Sequence, residues 1–200
     1  MSLPRIDLPT YEITLPVSKQ KVRFRAYTAR EEKILMIAKE AGDDNQVPVA
    51  IKQIIANCSG IENSDLLCEA DRDYIVVQLR SKVSGNIQEL NFTCQKMNDE
   101  GDICGGAITI EVDLNKITVQ EKVRPNIIQL TKSIGAEFII PTIQITEKND
   151  SHKYVSLVDK DIALMYACLV SIYDEHAVTG KEDIPFDEFE DWLLDLPSIC

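Results

Sequence analysis

A strand has to give way to a helix at Thr28, and that junction limits the chain more than any other feature. Lys21-Val-Arg-Phe-Arg-Ala-Tyr27 alternates polar and apolar residues, the period of a half-buried strand. Thr28-Ala-Arg-Glu31 follows at once in the form of a capping box, in which Thr28 caps a helix and Glu31 reaches back to it. Upstream, Tyr11-Glu-Ile-Thr-Leu15 alternates too, and polar Ser18-Lys-Gln20 separates the two segments. The pattern predicts a β-hairpin that feeds directly into a helix. Lys21, Arg23 and Arg25 fall on the hairpin's outward face as a positive stripe. Such a stripe either protects an edge strand from mispairing or meets a partner.

The first helix has Ile34, Leu35, Ile37 and Ala38 on one face and stops at Gly42. Val47 to Asn57 predicts a second, with Val49, Ile51, Ile54 and Ile55 apolar. Ser64 or Asp65 is expected to cap a third, which runs to about Ser81 before Gly85. The period then returns to two. Ile87 to Cys94, with Leu90 and Phe92 on one face, and Ala107 to Leu114, through Ile108, Ile110 and Val112, predict a second hairpin. Ile117 with Val119 suggests a short strand. Phe138 to Thr146 suggests another, bent or at an edge because of Pro141. Asp159 is expected to cap a strongly apolar helix reaching about His176, and Pro185 to open a last helix. These elements predict an α+β fold: an N-terminal β-hairpin, a helical segment, a central antiparallel β-sheet with a Cys-flanked hairpin, and C-terminal helices. A single domain over residues 1–200 is expected, with sub-lobes at 28–85 (helical), 86–150 (mainly β) and 156–198 (helical).

Acidic residues number 33 and basic residues 21, a net charge of −12. That field repels phosphates and disfavours a nucleic-acid partner. The charge is uneven. Residues 1–33 hold seven Lys/Arg against four Asp/Glu, and residues 159–200 hold eleven Asp/Glu against two Lys. One end could dock on the other, within or between chains, or the acidic end is simply solvated. Met1 to Pro9 lacks the apolar core of a signal peptide. The longest apolar run, Ile162 to Val170, is half of the roughly 20 residues that span a bilayer, so no membrane role is expected. Six cysteines without a secretion signal are expected to stay thiols in a reducing compartment.

Cys94 and Cys104-Gly-Gly flank the second hairpin's turn and look like zinc-ribbon knuckles with one cysteine each. Zinc needs four ligands, usually in two close pairs. Neither His152 nor His176 pairs with them in sequence, while Cys58 and Cys68 could complete a set. Plain thiols, a zinc site and a disulfide all remain open at Cys94 and Cys104. Apart from that zinc, no cofactor is expected. Glu175 to Phe186 fails as a calcium loop, because Ala177 and Phe186 stand where oxygen ligands belong. There is no glycine-rich phosphate loop and no recognisable nucleophile–base pair, so no catalytic residue is expected. Phe186, Phe189, Trp192, Leu193 and Leu196 form an aromatic stripe at helical spacing, either core or a helix for a partner's groove.

Leu8-Pro-Thr-Tyr-Glu-Ile-Thr-Leu-Pro16, with Val22 through Leu35, resembles the opening of the baseplate-hub family of T-even-like contractile-tailed phages. Ile51 to Cys58 and Asp73 to Gly85 are similar to the family's helical middle, and Cys94, Cys104 and Asn126 to Pro141 continue the likeness. The resemblance spans nearly the whole chain. It implies a non-enzymatic hub subunit or assembly factor that works by protein–protein contact. The implied partners are other hub or tape-measure proteins, or further copies of the chain. The implied location is the host cytoplasm during assembly and then the tail baseplate. A chaperone for the tape-measure protein, absent from the mature virion, is an alternative. A small zinc-binding protein and a cell-wall-degrading hub enzyme are alternatives of another class. The expected contact residues are Lys21, Arg23 and Arg25 on the first hairpin and Phe189, Trp192 and Leu196 on the last helix.

Overall fold

The computed structural model describes residues 7–43, 45–97, 101–119 and 126–196. The chain is α+β and divides into two compact units, Met1–Ser64 with Ala70–Gln120, and Asp65–Glu69 with Glu121–Cys200.

In the first unit, strands β1 (Thr10–Thr14) and β2 (Lys21–Arg25) form the expected antiparallel hairpin, with Tyr11 opposite Phe24 and Ile13 opposite Val22. Alternation sends Val22 and Phe24 inward, where both are buried, and leaves Lys21 and Arg23 outside. Leu15, fully buried, closes the connection by donating its N–H to Gln20 O at 2.8 Å. The connection is held from below. Buried Asp71 accepts the N–H groups of Val17 at 2.8 Å and Ser18 at 2.9 Å.

Helix α1 (Ala29–Glu40) starts at Thr28, and both halves of the capping box are present. Its Glu31 does more than cap. One carboxylate oxygen accepts the Thr28 N–H at 2.8 Å and the Thr28 hydroxyl at 2.6 Å, and the other accepts Arg25 Nη2 at 2.9 Å. The residue is 2% exposed. Helix α2 (Gln46–Ser59) packs on α1 and β2 through a face that includes Ala50, Ile54, Ile55 and Cys58. Gly60, at φ +73°, ends it in the left-handed region that glycine occupies without strain.

The third helix, α3 (Glu69–Ser81), begins later than expected. Ser64–Leu66 forms a separate 3₁₀ turn instead of its cap. Strands β3 (Ile87–Thr93) and β4 (Ala107–Asp113) then pair in register from Ile87–Asp113 to Thr93–Ala107. No strand forms at Ile117 and Val119. There Asp113 accepts the Asn115 N–H at 3.0 Å and winds Leu114–Lys116 into a 3₁₀ turn.

The second unit is built on a four-stranded antiparallel sheet, in the order β5 (Ile127–Gln129), β6 (Gly135–Phe138), β7 (Leu169–Tyr173), β8 (Val178–Gly180). Helices α4 (Ile143–Asp150), α5 (Leu157–Cys168) and α6 (Phe186–Leu194) complete it. Ala136, Ile162, Leu169 and Phe189 form its buried centre.

Two expectations fail here. Phe138 to Thr146 is not one strand: β6 ends at Phe138, and Thr142 caps α4 by accepting the Ile145 N–H at 3.4 Å. Pro141 has no N–H for a ladder, so the chain leaves the sheet and restarts as a helix. The apolar segment after Asp159 is not one helix either. Ser156 is the cap, Asp159 is its capping-box partner, and α5 stops at Cys168. Residues 169–173 continue as a strand between β6 and β8.

Arg25 and Thr28 outweigh the cost of burial and hold the Glu31 carboxyl down to about 2, against an ordinary 4.5. Its folded value lies below its unfolded one, so this stabilisation is present above about pH 4.5 and is lost as pH falls toward 2. Glu31→Gln should cost about 2–3 kcal/mol at pH 7 by urea unfolding. The gap to the parent protein should narrow by pH 3; a constant gap would refute the coupling.

Candidate functional site

The hairpin's basic stripe is not one surface. Lys21 and Arg23 are exposed, but both lie against Glu12 across the hairpin, at 3.9 and 3.3 Å. Ion pairs this open add little stability, yet they halve the stripe's outward charge. Arg25 instead serves the fold. Its side chain is only 28% exposed and forks onto Glu31, and that hydrogen bond is what raises its pKa.

On the last helix, Phe189 is fully buried at the centre of its own unit. Trp192 stands beside it at 6.0 Å between ring centroids, and Trp192 and Leu196 are both half-buried. Tyr166 on α5 fills the space between Phe186 and Phe189, at 5.3 and 5.5 Å. Most of the aromatic stripe therefore faces its own sheet and α5.

The two hairpin cysteines sit where the ladder of β3 and β4 ends. Cys94 N–H donates to Gly106 O at 2.9 Å, Gly105 N–H to Cys94 O at 3.1 Å, and Cys104 N–H to Lys96 O at 2.8 Å. Gly105, at φ +65°, makes the turn that this pattern needs. Neither cysteine is in a disulfide; Cys94 is half-buried and Cys104 exposed. Among the described residues, no group of three or more His, Cys, Asp or Glu could hold a metal ion. His152, just past the end of α4, and His176, in the β7–β8 turn, belong to the second unit, whereas these two cysteines belong to the first.

The surface that stands out is one the sequence displayed but did not flag. Leu90 lies opposite Ile110 and Phe92 opposite Ile108, all four on one face of the β3–β4 ribbon. Each remains 44–53% exposed. The other face is polar. Asn91 accepts a hydrogen bond from Thr109 at 2.8 Å, and Glu89 stands directly opposite Glu111. Like charges so placed weaken a strand pair, and a lone two-stranded ribbon is marginal in water. Alternation in Ile87–Cys94 and Ala107–Leu114 announces such a face, but it does not say whether anything in the chain covers it.

The sequence model of a family described as T4 bacteriophage base plate protein matches residues 8–198. The chain belongs to this family. No curated protein and no solved structure matches it. The family assigns it to the phage baseplate, an assembly held together by contacts among its proteins. An exposed apolar ribbon is the kind of surface such contacts use. Among the described residues, no helix of this baseplate protein is long and apolar enough to cross a membrane.

The divided stripe separates two effects of charge reversal. Arg23→Glu should change unfolding free energy by less than about 0.5 kcal/mol, whereas Arg25→Glu should lower it by about 3 kcal/mol or more. Equal effects would refute the division. Replacing Cys94 and Cys104 together by serine should leave the melting temperature unchanged. Protein purified without added metal should hold no stoichiometric zinc by elemental analysis, and a full zinc complement would refute the thiol assignment.

Proposed function

We propose that this baseplate protein acts without catalysis at the tail hub, as a hub subunit or as an assembly factor, by binding another baseplate protein through the β3–β4 ribbon. The observation behind this is the uncovered face of Leu90, Phe92, Ile108 and Ile110, set on an acidic ribbon. Full burial of an aliphatic or aromatic side chain contributes about 1.5–3 kcal/mol, so covering the exposed halves of these four yields about 3–6 kcal/mol before the costs of association. The partner's matching surface is apolar, because Glu89 and Glu111 lie on the ribbon's other face. Open ladder edges on both strands add a second means of attachment, pairing with a partner strand. A tape-measure protein, another hub protein and a second copy of the chain are the candidates for that partner.

Co-expression with neighbouring tail proteins and mass measurement of the complex test this. Phe92→Ser with Ile108→Ser should weaken the complex about 30-fold or more while the first unit keeps its melting behaviour. An undiminished complex would remove the ribbon from the interface. Purified mature tails then separate the two roles: a subunit is present in them, and an assembly factor or chaperone is absent.

A further inference from the structure

In the second unit, α4, α5, the segment between them and the 3₁₀ turn at Lys181–Asp183 line an open cavity of about 350 Å³. Its size is in the range of small-ligand pockets. Two small residues one turn apart on α5, Ala163 and Ala167, make the room. Tyr154 and Tyr166 line it and are fixed by their own hydroxyls, which donate to Asn149 Oδ1 at 2.7 Å and to Ile184 O at 2.9 Å. Asn149 is itself buried and donates to Lys160 O at 3.2 Å, so the wall is tied down.

The charge of this cavity runs against its surroundings. Residues 159–200 hold eleven acidic residues and two lysines. Yet the ionisable groups that line the cavity besides the tyrosines are Lys148, His152 and Lys181, with no carboxylate among them. Asp150, two residues on from Lys148, is taken up by Lys160 at 2.8 Å. His152 donates from Nδ1 to Lys148 O at 2.8 Å. Lys181 donates to Ala167 O at 2.7 Å and lies 5.0 Å from the Tyr166 ring centroid. Burial, and then repulsion from Lys148, push its pKa below the ordinary lysine value, despite an opposing effect of Cys168. Two lysines thus share a pocket with no carboxylate in its lining among the described residues, an arrangement that an entering anion relieves.

We propose that this cavity binds a carboxylate carried on an apolar body, with Lys148 and Lys181 taking the anion and Tyr154, Tyr166 and the two alanines taking the body. Inorganic phosphate fits less well. Phosphate sites are built from converging backbone N–H groups, and this lining is mostly apolar side chain. The carboxylate comes either from a free small molecule or from an acidic side chain next to an aromatic one in a peptide.

Amide NMR titration of the full chain distinguishes these. The probes are 3-phenylpropionate, its neutral amide, the peptide acetyl-Gly-Glu-Phe-Gly-amide and inorganic phosphate. At least one carboxylate should saturate at millimolar concentration, with shifts at residues 148, 152, 154, 166 and 181. The neutral amide should bind about tenfold more weakly or worse, and salt should weaken the carboxylate. Whichever carboxylate binds more tightly identifies the source. Lys148→Gln removes an ammonium with no ion pair among the described residues and should weaken binding about 3- to 10-fold. Ala163→Leu should fill the cavity and abolish binding. The proposal fails if acid and amide bind alike, if phosphate binds the site more tightly than both carboxylates, or if neither carboxylate saturates below about 20 mM.

Discussion

The first unit depends on a buried carboxylate that has almost no water. Glu31 retains its charge because Arg25 and both donors of Thr28 surround it. A buried ion pair of this kind contributes less to net stability than its hydrogen bonds suggest, since desolvation offsets them, but breaking one partner is expensive. Its greater effect is on which structure forms. Arg25 ends β2 and Thr28 begins α1, so satisfying Glu31 fixes the angle at which strand becomes helix. A one-residue slip of β2 would turn Phe24 out and leave Glu31 without its guanidinium. Asp71 repeats the device at the hairpin's other end, where two backbone amides of the connection would otherwise lose their acceptor. The hairpin is thus fastened at both ends by carboxylates that only one register satisfies.

The β3–β4 ribbon follows the opposite principle. Its inner alternation is as regular as that of β2, and its apolar residues are as large. In β2, the helices of the unit supply a surface, and Val22 and Phe24 are buried. In the ribbon, the same pattern ends at 44–53% exposure. A sequence selected only for a stable monomer would not place Glu89 against Glu111 on one face and four large apolar groups on the other. A ribbon that is completed by another baseplate protein would.

That contrast marks what the sequence could reveal. Elements set by local chemistry were legible: the Thr28 capping box, the first hairpin, the helix around Val47 to Asn57 and the Pro185 start of α6 all depend on near neighbours. Elements set by distant pairing were not. From Ile162 onward the residues are apolar whether they wind or extend, and only pairing with β6 and β8 turns Leu169–Tyr173 into a strand. Pro141 was visible as a disruption, but Thr142 as the cap of a new helix depends on where β6 ends. The basic stripe divides for the same reason. Lys21, Arg23 and Arg25 are equivalent by alternation, and only the position of Glu31 draws Arg25 inward.

Charge then orders the possible contacts of this family member. Three of the seven basic residues of the positive start, Lys21, Arg23 and Arg25, are paired at home on Glu12 and Glu31, which leaves the hairpin's outward stripe only weakly positive. The net charge is −12, so a partner drawn by overall charge alone would have to be basic. The ribbon's contact surface is neutral and apolar, so attachment there should be nearly indifferent to salt. The cavity of Lys148 and Lys181 is the reverse: its lining carries positive charge and no carboxylate, and a single carboxylate would neutralise much of it. Strong dependence on salt at one surface and little at the other would therefore distinguish which of them holds a given partner, without any substitution in the chain.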